Sequence, residues 1–447
     1  MNTLSAQTAY VGSTEIKQVR LGSELVLAPN GNELWYKSNE LPSLDLRFAE
    51  DKSLVDATTG SNLVDFTRAS SGTYVGSDGL IKTATTNEPR FDHDPTTGES
   101  LGLLVEESRT NLLLSSEEFN TTWTLSDIRA FGSGSVVDAT VAPNGQTTAD
   151  LLTENNQNAV HKTNQAVSVT SGLTYTFSCF IKRAGGSRNA VLTLRTAAFG
   201  ASYGVSLDLS TGVTSERGGA TIFDSKSYGN GWWRVWLTAT ATSTVSSFVD
   251  IGLLDDTTVS YQGDDASGIY IWGAQLEEGS FPTSYIPTEG STVTRAADVA
   301  SISGSNFSSW YRQDEGTIFN NSTVIAPNVQ TQAAWSLTGG TYNTSLRQPQ
   351  STGDRFRARI GNTFTPSPGT GNLLSSGTRK ACVAYSGTAG RLQVGSSSDE
   401  ATAVGVLDAT DLYIGSFAEG ALLNGTIRRL TYWPTRLPND TLETITQ

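Results

Sequence analysis

The run Gly231-Trp232-Trp233-Arg234-Val235-Trp236-Leu237-Thr238-Ala239-Thr240 decides the fold class. It is a short stretch of Trp, Val and Thr, residues that favour strands. Successive side chains of a strand point to opposite faces, so Trp232, Arg234 and Trp236 share one side while Trp233 and Val235 take the other. The turn Gly229-Asn230-Gly231 opens the strand, which is expected over 232–240. Comparable segments lie on either side, at 167–169, 174–182, 189–196, 203–208, 249–254 and 268–276. Ser171-Gly172, Gly185-Gly186 and Ser210-Thr211-Gly212 separate them. This spacing predicts a β-sandwich or jelly roll over 121–298.

Further out the reading stays all-β. Strand-like runs at 316–325, 333–337, 355–360, 381–385, 390–394, 411–415 and 425–433 predict a second sandwich over 306–447, reached through a linker at 293–305. A short helix is expected after Pro438. Residues 41–120, dense in turn signals such as Gly76-Ser77-Asp78-Gly79 and Asp94-Pro95, are expected to form a β-rich collar. Residues 1–40 are expected to be an attachment segment built on a hairpin, with Thr14 to Leu21 alternating, a turn at Gly22-Ser23 and a return over Glu24 to Leu27. So small a hairpin is barely stable alone and is expected to borrow burial from a partner.

Composition narrows the function. In 447 residues only 17% are charged, and the net charge is −14. No Lys/Arg cluster offers a track for phosphates, so nucleic acid is not an expected partner. Two cysteines, Cys179 and Cys382, cannot make a disulfide framework. The first residues lack a basic and apolar leader pattern, and no apolar run approaches bilayer length. A soluble protein made in a cytosol, with no membrane insertion, is the expectation.

Three groups of residues resemble a known family. Phe66-Thr67-Arg68-Ala69-Ser70-Ser71-Gly72-Thr73-Tyr74-Val75 with Asp78-Gly79-Leu80-Ile81, then Asn87-Glu88-Pro89-Arg90-Phe91-Asp92, Leu101-Gly102-Leu103-Leu104-Val105-Glu106 and Arg109-Thr110-Asn111-Leu112 resemble a segment of bacteriophage fibre and spike proteins. Gly231-Trp232-Trp233-Arg234-Val235, Trp272-Gly273-Ala274-Gln275-Leu276-Glu277-Glu278-Gly279, Thr283-Ser284-Tyr285-Ile286-Pro287-Thr288 and Thr294-Arg295-Ala296-Ala297-Asp298 resemble the carbohydrate-binding-module-like jelly roll that follows it. Gly425-Thr426-Ile427-Arg428-Arg429-Leu430-Thr431-Tyr432-Trp433-Pro434 is similar to the closing strand of concanavalin-A/laminin-G-like domains. The resemblance implies a structural, non-enzymatic virion protein on the particle exterior, a tail fibre, head spike or decoration. It also implies a homotrimer that attaches to other virion proteins through its N-terminal region and reaches a host-surface polysaccharide. A connector without glycan binding and a polysaccharide depolymerase are the alternatives.

Candidate ligand-binding residues are aromatic, since sugar rings stack on exposed rings. They are Trp232, Trp233 and Trp236 with Arg234, and Tyr261, Tyr270 and Trp272. The competing reading of each is packing, because at least one face of a strand must be core. Asp255, Asp256, Asp264 and Asp265 bracket a short loop that could hold Ca²⁺, against a reading as solvated turns. Neighbouring carboxylates on a strand point apart and cannot converge on a glycosidic bond, so no catalytic residue and no other cofactor is expected. His93 and His161 are too isolated for a histidine metal set, and no Gly-x-Ser-x-Gly elbow occurs.

Overall fold

The computed structural model describes residues 41–324 throughout and 332–447 apart from 340–343, 349–356, 361–362, 366–376, 388, 403–407 and 419; before residue 41 it describes only strand backbone at 10–11, 14–15, 19–21 and 24–27. The chain is all-β, with four short helices among the described residues. It divides into two compact units, one formed by Phe66–Asp298 and the other by Met1–Asp65 together with Val299–Gln447. Residues of the expected collar are thus shared between the units, 41–65 with one and 66–120 with the other. Val19–Leu21 and Glu24–Leu27 pair antiparallel as the hairpin reading expects. Its residues 16–18, its turn and the stop at Pro29 lie outside the described residues.

The unit of 66–298 carries twelve principal strands. In chain order they are β1 (Thr124–Ser126), β2 (Val136–Val141), β3 (Thr147–Thr153), β4 (Lys162–Val169), β5 (Thr174–Gly185) and β6 (Asn189–Leu194). Then come β7 (Tyr203–Leu207), β8 (Thr214–Arg217), β9 (Ile222–Ser227), β10 (Trp233–Thr240), β11 (Val245–Leu254) and β12 (Gly268–Glu278). They form two six-stranded antiparallel sheets, ordered β1-β4-β11-β6-β7-β8 and β2-β3-β12-β5-β10-β9. Between the sheets, alternate residues make one core. Val249, Ile251 and Leu253 of β11 and Leu192 of β6 meet Phe177 and Cys179 of β5 and Val235 and Leu237 of β10. Both cysteines are free and buried.

Strand β12 changes its inward parity halfway. Ile269 and Ile271 face the core, then Ala274 and Leu276. The register with β5 shifts between Ser178 and Phe180, so one extra residue sits opposite in β12, a β-bulge. Gly273, at φ +63°, supplies the left-handed conformation the bulge needs. The bulge lets Trp272 point away from the inter-sheet core. There it joins a second cluster with Phe180, Trp232, Tyr285, Ile81 and Ala149.

That outer face of the second sheet is covered by the unit's own flanking segments, which carry a buried ionic set. Arg68 Nη1 pairs with Asp298 Oδ1 at 3.1 Å, and Arg90 pairs with Asp298 and, at 2.8 Å, with Glu106 Oε2. Arg295 reaches the same Glu106 oxygen at 3.5 Å. Ser284 donates to both Glu106 oxygens, from N at 2.8 Å and Oγ at 2.7 Å. Burial pushes the Glu106 carboxyl up, but Arg295, Arg90 and Ser284 outweigh it and hold it at about 2. Nearby, Asn111 is wholly buried and uses both ends of its amide. It donates to Ala274 O and Ile286 O and accepts from Leu113 N and Leu276 N. Gly279, at φ +139°, lies where any side chain would run into the Arg109 guanidinium. Arg109 in turn stacks over the Phe281 ring, 5.0 Å from its centroid.

The second unit is also a sandwich. Gly425–Trp433 lies between Glu315–Val324 and the short strand Leu44–Leu46. Arg429 donates to both oxygens of buried Asp45, at 2.8 and 2.7 Å, so residues far apart in sequence close the same sheet. The other sheet runs Thr363–Thr365, Arg357–Ile360, Thr344–Gln348, Gln332–Thr338, Asp411–Ile414 and Val299–Ser303. The terminal helix, Asn439–Thr446, buries Leu442 and Ile445 against Phe319, Cys382 and Trp433.

Arg90 is the member of the ionic set that pairs with both buried carboxylates. Arg90→Met is expected to destabilise the 66–298 unit by about 3–5 kcal/mol, the usual effect of breaking a buried pair from one side. Urea unfolding followed by tryptophan fluorescence checks this.

Candidate functional site

With one sheet covered, the outer face of the β1-β4-β11-β6-β7-β8 sheet is the one that presents side chains from many strands to a ligand. The alternation of β11 places Val249, Ile251 and Leu253 inward, and therefore Phe248, Asp250 and Gly252 outward. Register aligns Asn164, Asp250, Thr193, Gly204 and Arg217 in one row across β4, β11, β6, β7 and β8. Lys162, Gly252 and Val191 begin the next row. Because Gly204 and Gly252 have no side chains, the two rows enclose a groove of about 280 Å³, lined among others by Lys162, Thr193, Arg217 and Asp250. Methyl groups at Gly204 and Gly252 would crowd Leu192 O at 3.1 Å and His161 O at 3.2 Å respectively.

The polar groups of the groove are fixed by one another. Arg195 donates to Asp250 from Nε at 2.7 Å and Nη2 at 3.1 Å. Lys162 Nζ donates to Asp250 Oδ2 at 3.2 Å. Burial nevertheless pushes the Asp250 carboxyl up to about 6, more than Arg195 pulls it down. Arg195 also lies over the ring of Phe248, 5.8 Å from its centroid. Phe248 is 44% exposed, an aromatic side chain on the same side of the sheet as the groove. At the other end Arg217 Nη1 donates to the Thr257 carbonyl at 3.0 Å, across to the turn that follows β11.

The aromatic residues singled out in the sequence lie elsewhere. Trp232 is buried and donates from Nε1 to Val141 O at 3.1 Å, and buried Trp272 donates to Thr148 Oγ1 at 3.1 Å. Arg234, also buried, donates to Thr283 O and Ser178 Oγ. Tyr261 is buried with its hydroxyl donating to Glu154 at 2.6 Å. Trp233 packs half-buried against the inter-sheet core, and Tyr270 against the second cluster. Trp236 is half-buried, beside Ser178 and Asp224 in the register. Trp232, Arg234, Tyr261 and Trp272 are thus buried, Tyr261 in the inter-sheet core and Trp232 and Trp272 in the second cluster.

The four aspartates are not gathered around a common point. Asp255 pairs with Arg188 at 2.5 Å. Asp264 caps its own turn, accepting from Ala266 N, Ser267 N and Ser267 Oγ, with Arg188 at 3.9 Å. Asp265 faces Arg129 at 3.7 Å, and Asp256 is exposed at the tip of the turn. A guanidinium held by buried Glu154 at 2.9 Å already supplies the positive charge there. Among the described residues no group of three or more His, Cys, Asp or Glu is placed to share a metal ion.

No family model matches the chain, and no curated protein does. Solved structures share local likeness. The Ruminococcus gnavus IT-sialidase CBM40 bound to α2,3-sialyllactose is 14% identical, with 30% of this chain and 83% of that one covered and a TM-score of 0.24. Domains LG4–5 of the mouse laminin α1 chain are 12% identical, covering 63% and 88%, with a TM-score of 0.22. A Trypanosoma rangeli sialidase is 12% identical, covering 68% and 54%, with a TM-score of 0.28.

Phe248, Asp250 and Arg217 were not singled out from the sequence. The one available signal was the outward parity of Phe248 and Asp250 beside Val249, Ile251 and Leu253.

The raised Asp250 value has a consequence with a definite sign. Between its ordinary value of 3.8 and about 6, the folded protein binds the proton that the unfolded chain releases. Folding therefore gains stability as pH falls through 6, and the gain is complete below 3.8. Relative to Asp250→Asn, the wild-type protein is expected to gain on the order of 2 kcal/mol between pH 7 and pH 4. Denaturant midpoints of the two proteins at both pH values check this.

Proposed function

We propose that the chain is a non-enzymatic structural protein on the exterior of a bacteriophage particle, a fibre, spike or head decoration. In this reading residues 1–40 attach it to other virion proteins, and the groove over Asp250 holds a host-surface glycan. What supports the virion part is the residue order that resembles fibre and spike proteins. Arg68, Arg90, Glu106, Arg295 and Asp298, all from the resembling stretches, work together in one buried set. They serve as one structural unit and not as scattered matches.

The observation that carries the glycan part is the exposed Phe248 ring beside a shallow groove with fixed donors and an acceptor. A ring face for the apolar side of a sugar and oriented polar groups for its hydroxyls are what such a ligand needs. Asp250 is the one carboxylate among the residues lining the groove, which favours holding a glycan over cleaving it with an acid pair. Binding at so open a site is weak per copy and gains from repetition on the particle. A homotrimer suits that use, and light scattering that returns a stable monomer at micromolar concentration counts against it.

A second reading, a connector without glycan binding, is favoured by the burial of Trp232 and Trp272. A glycan array separates the two. Wild-type protein is expected to bind a subset of glycans, and Phe248→Ala to weaken that binding about tenfold, the effect of losing on the order of 1.4 kcal/mol. Binding to no glycan by a correctly folded trimer or monomer leaves the connector.

A further inference from the structure

The groove carries more positive than negative charge, in a chain whose net charge is −14. Its lining has Lys162 from β4 and Arg217 from β8 against Asp250 alone. Asp250 is already satisfied twice over, by both donors of Arg195 and by Lys162. In the turn beyond β11, Asp255 is committed to Arg188. Asp256, beside it, is exposed.

Arg217 is the group with charge to give. It sits on the edge strand β8, and one of its donors is spent on the neutral carbonyl of Thr257, in a bond exposed to solvent. A guanidinium prefers an anion to a neutral carbonyl, since charge-assisted bonds are about twice as strong and can be bidentate. Reaching to Thr257, on the turn next to Val259 of the groove wall, the side chain lies at the groove rim. Gly218 and Gly204 beside it leave room for a ligand to come within bonding distance.

We propose that the groove selects an anionic sugar unit, one bearing a carboxylate or a phosphate, and that Arg217 is the residue that makes the selection. It exchanges the Thr257 carbonyl for the ligand's anionic oxygens, while Lys162 adds attraction from the opposite side. Asp250 stays paired with Arg195 and keeps neutral hydroxyls in register. This inference rests on the glycan reading above, and it can fail while that reading stands.

The test is an array of acidic oligosaccharides printed beside their neutral partners, methyl-esterified for the uronate members and dephosphorylated for the sugar phosphates. Wild type, Arg217→Gln and Phe248→Ala are compared, each checked for fold by circular dichroism. Wild type is expected to prefer acidic members about tenfold or more over their partners. Added salt is expected to erode that preference. Arg217→Gln should bring the ratio close to one while binding to the neutral partners persists, and Phe248→Ala should weaken both. The uronate and phosphate pairs show which anion is read. Equal binding of wild type to acidic and neutral partners overturns the selection and leaves the glycan reading intact. An acidic preference that survives Arg217→Gln overturns the role of Arg217. No binding to any member removes both.

Discussion

Three arginines and two carboxylates, all buried, hold one another in the 66–298 unit. Arg68, Arg90 and Arg295 are held by Glu106 and Asp298, with Ser284 and the Glu106 amide filling remaining acceptor positions. Losing either carboxylate leaves buried guanidinium charge without its partner, which costs several kcal/mol. The segments that carry them, around 68–111 and 283–298, therefore cannot lift off singly from the second sheet. That constraint decides which surfaces of the unit are open. It closes the face bearing Trp272 and Trp232, and leaves the outer face of the other sheet uncovered by those segments.

From that division the rest follows in order. Alternation in β11 buries Val249, Ile251 and Leu253 and turns Phe248, Asp250 and Gly252 outward. Pairing with β4, β6, β7 and β8 brings Lys162, Thr193 and Arg217 to the same side. Absent side chains at Gly204 and Gly252 make the depression. Lys162, Thr193, Arg217 and Asp250 each come from a strand of the sheet, while Ser202 and the Thr257 turn come from loops. A site built so needs little ordering on binding, which suits a weak ligand met many times over.

The class of fold was legible because period-two alternation is local. The strands expected at 174–182, 189–196 and 249–254 could be read from neighbours within a few residues, although the second ends at Leu194 and gives way to a short helix at Thr196–Phe199, and the helix after Pro438 could be read too. What could not be read is which outward face meets solvent and which meets another stretch of chain. Trp232 looks the same in sequence whether its indole faces water or Val141, ninety-one residues away. The two conserve the same alternation. The same holds for Glu154, whose burial under Arg188 and Tyr261 depends on residues 34 and 107 positions off. Aromatic density therefore pointed to the covered sheet, while Phe248 is the one aromatic residue of its strand, Val245–Leu254.

The central claim is that recognition belongs to the face of Phe248 and not to the tryptophan-rich strand β10. Hydroxyl-radical footprinting with and without host-cell surface polysaccharide tests it at the level of single side chains. The expected result is that oxidation of Phe248 falls severalfold on binding while Trp233 and Trp236 keep their rates. Protection of Trp233 or Trp236 with Phe248 unaffected would contradict it.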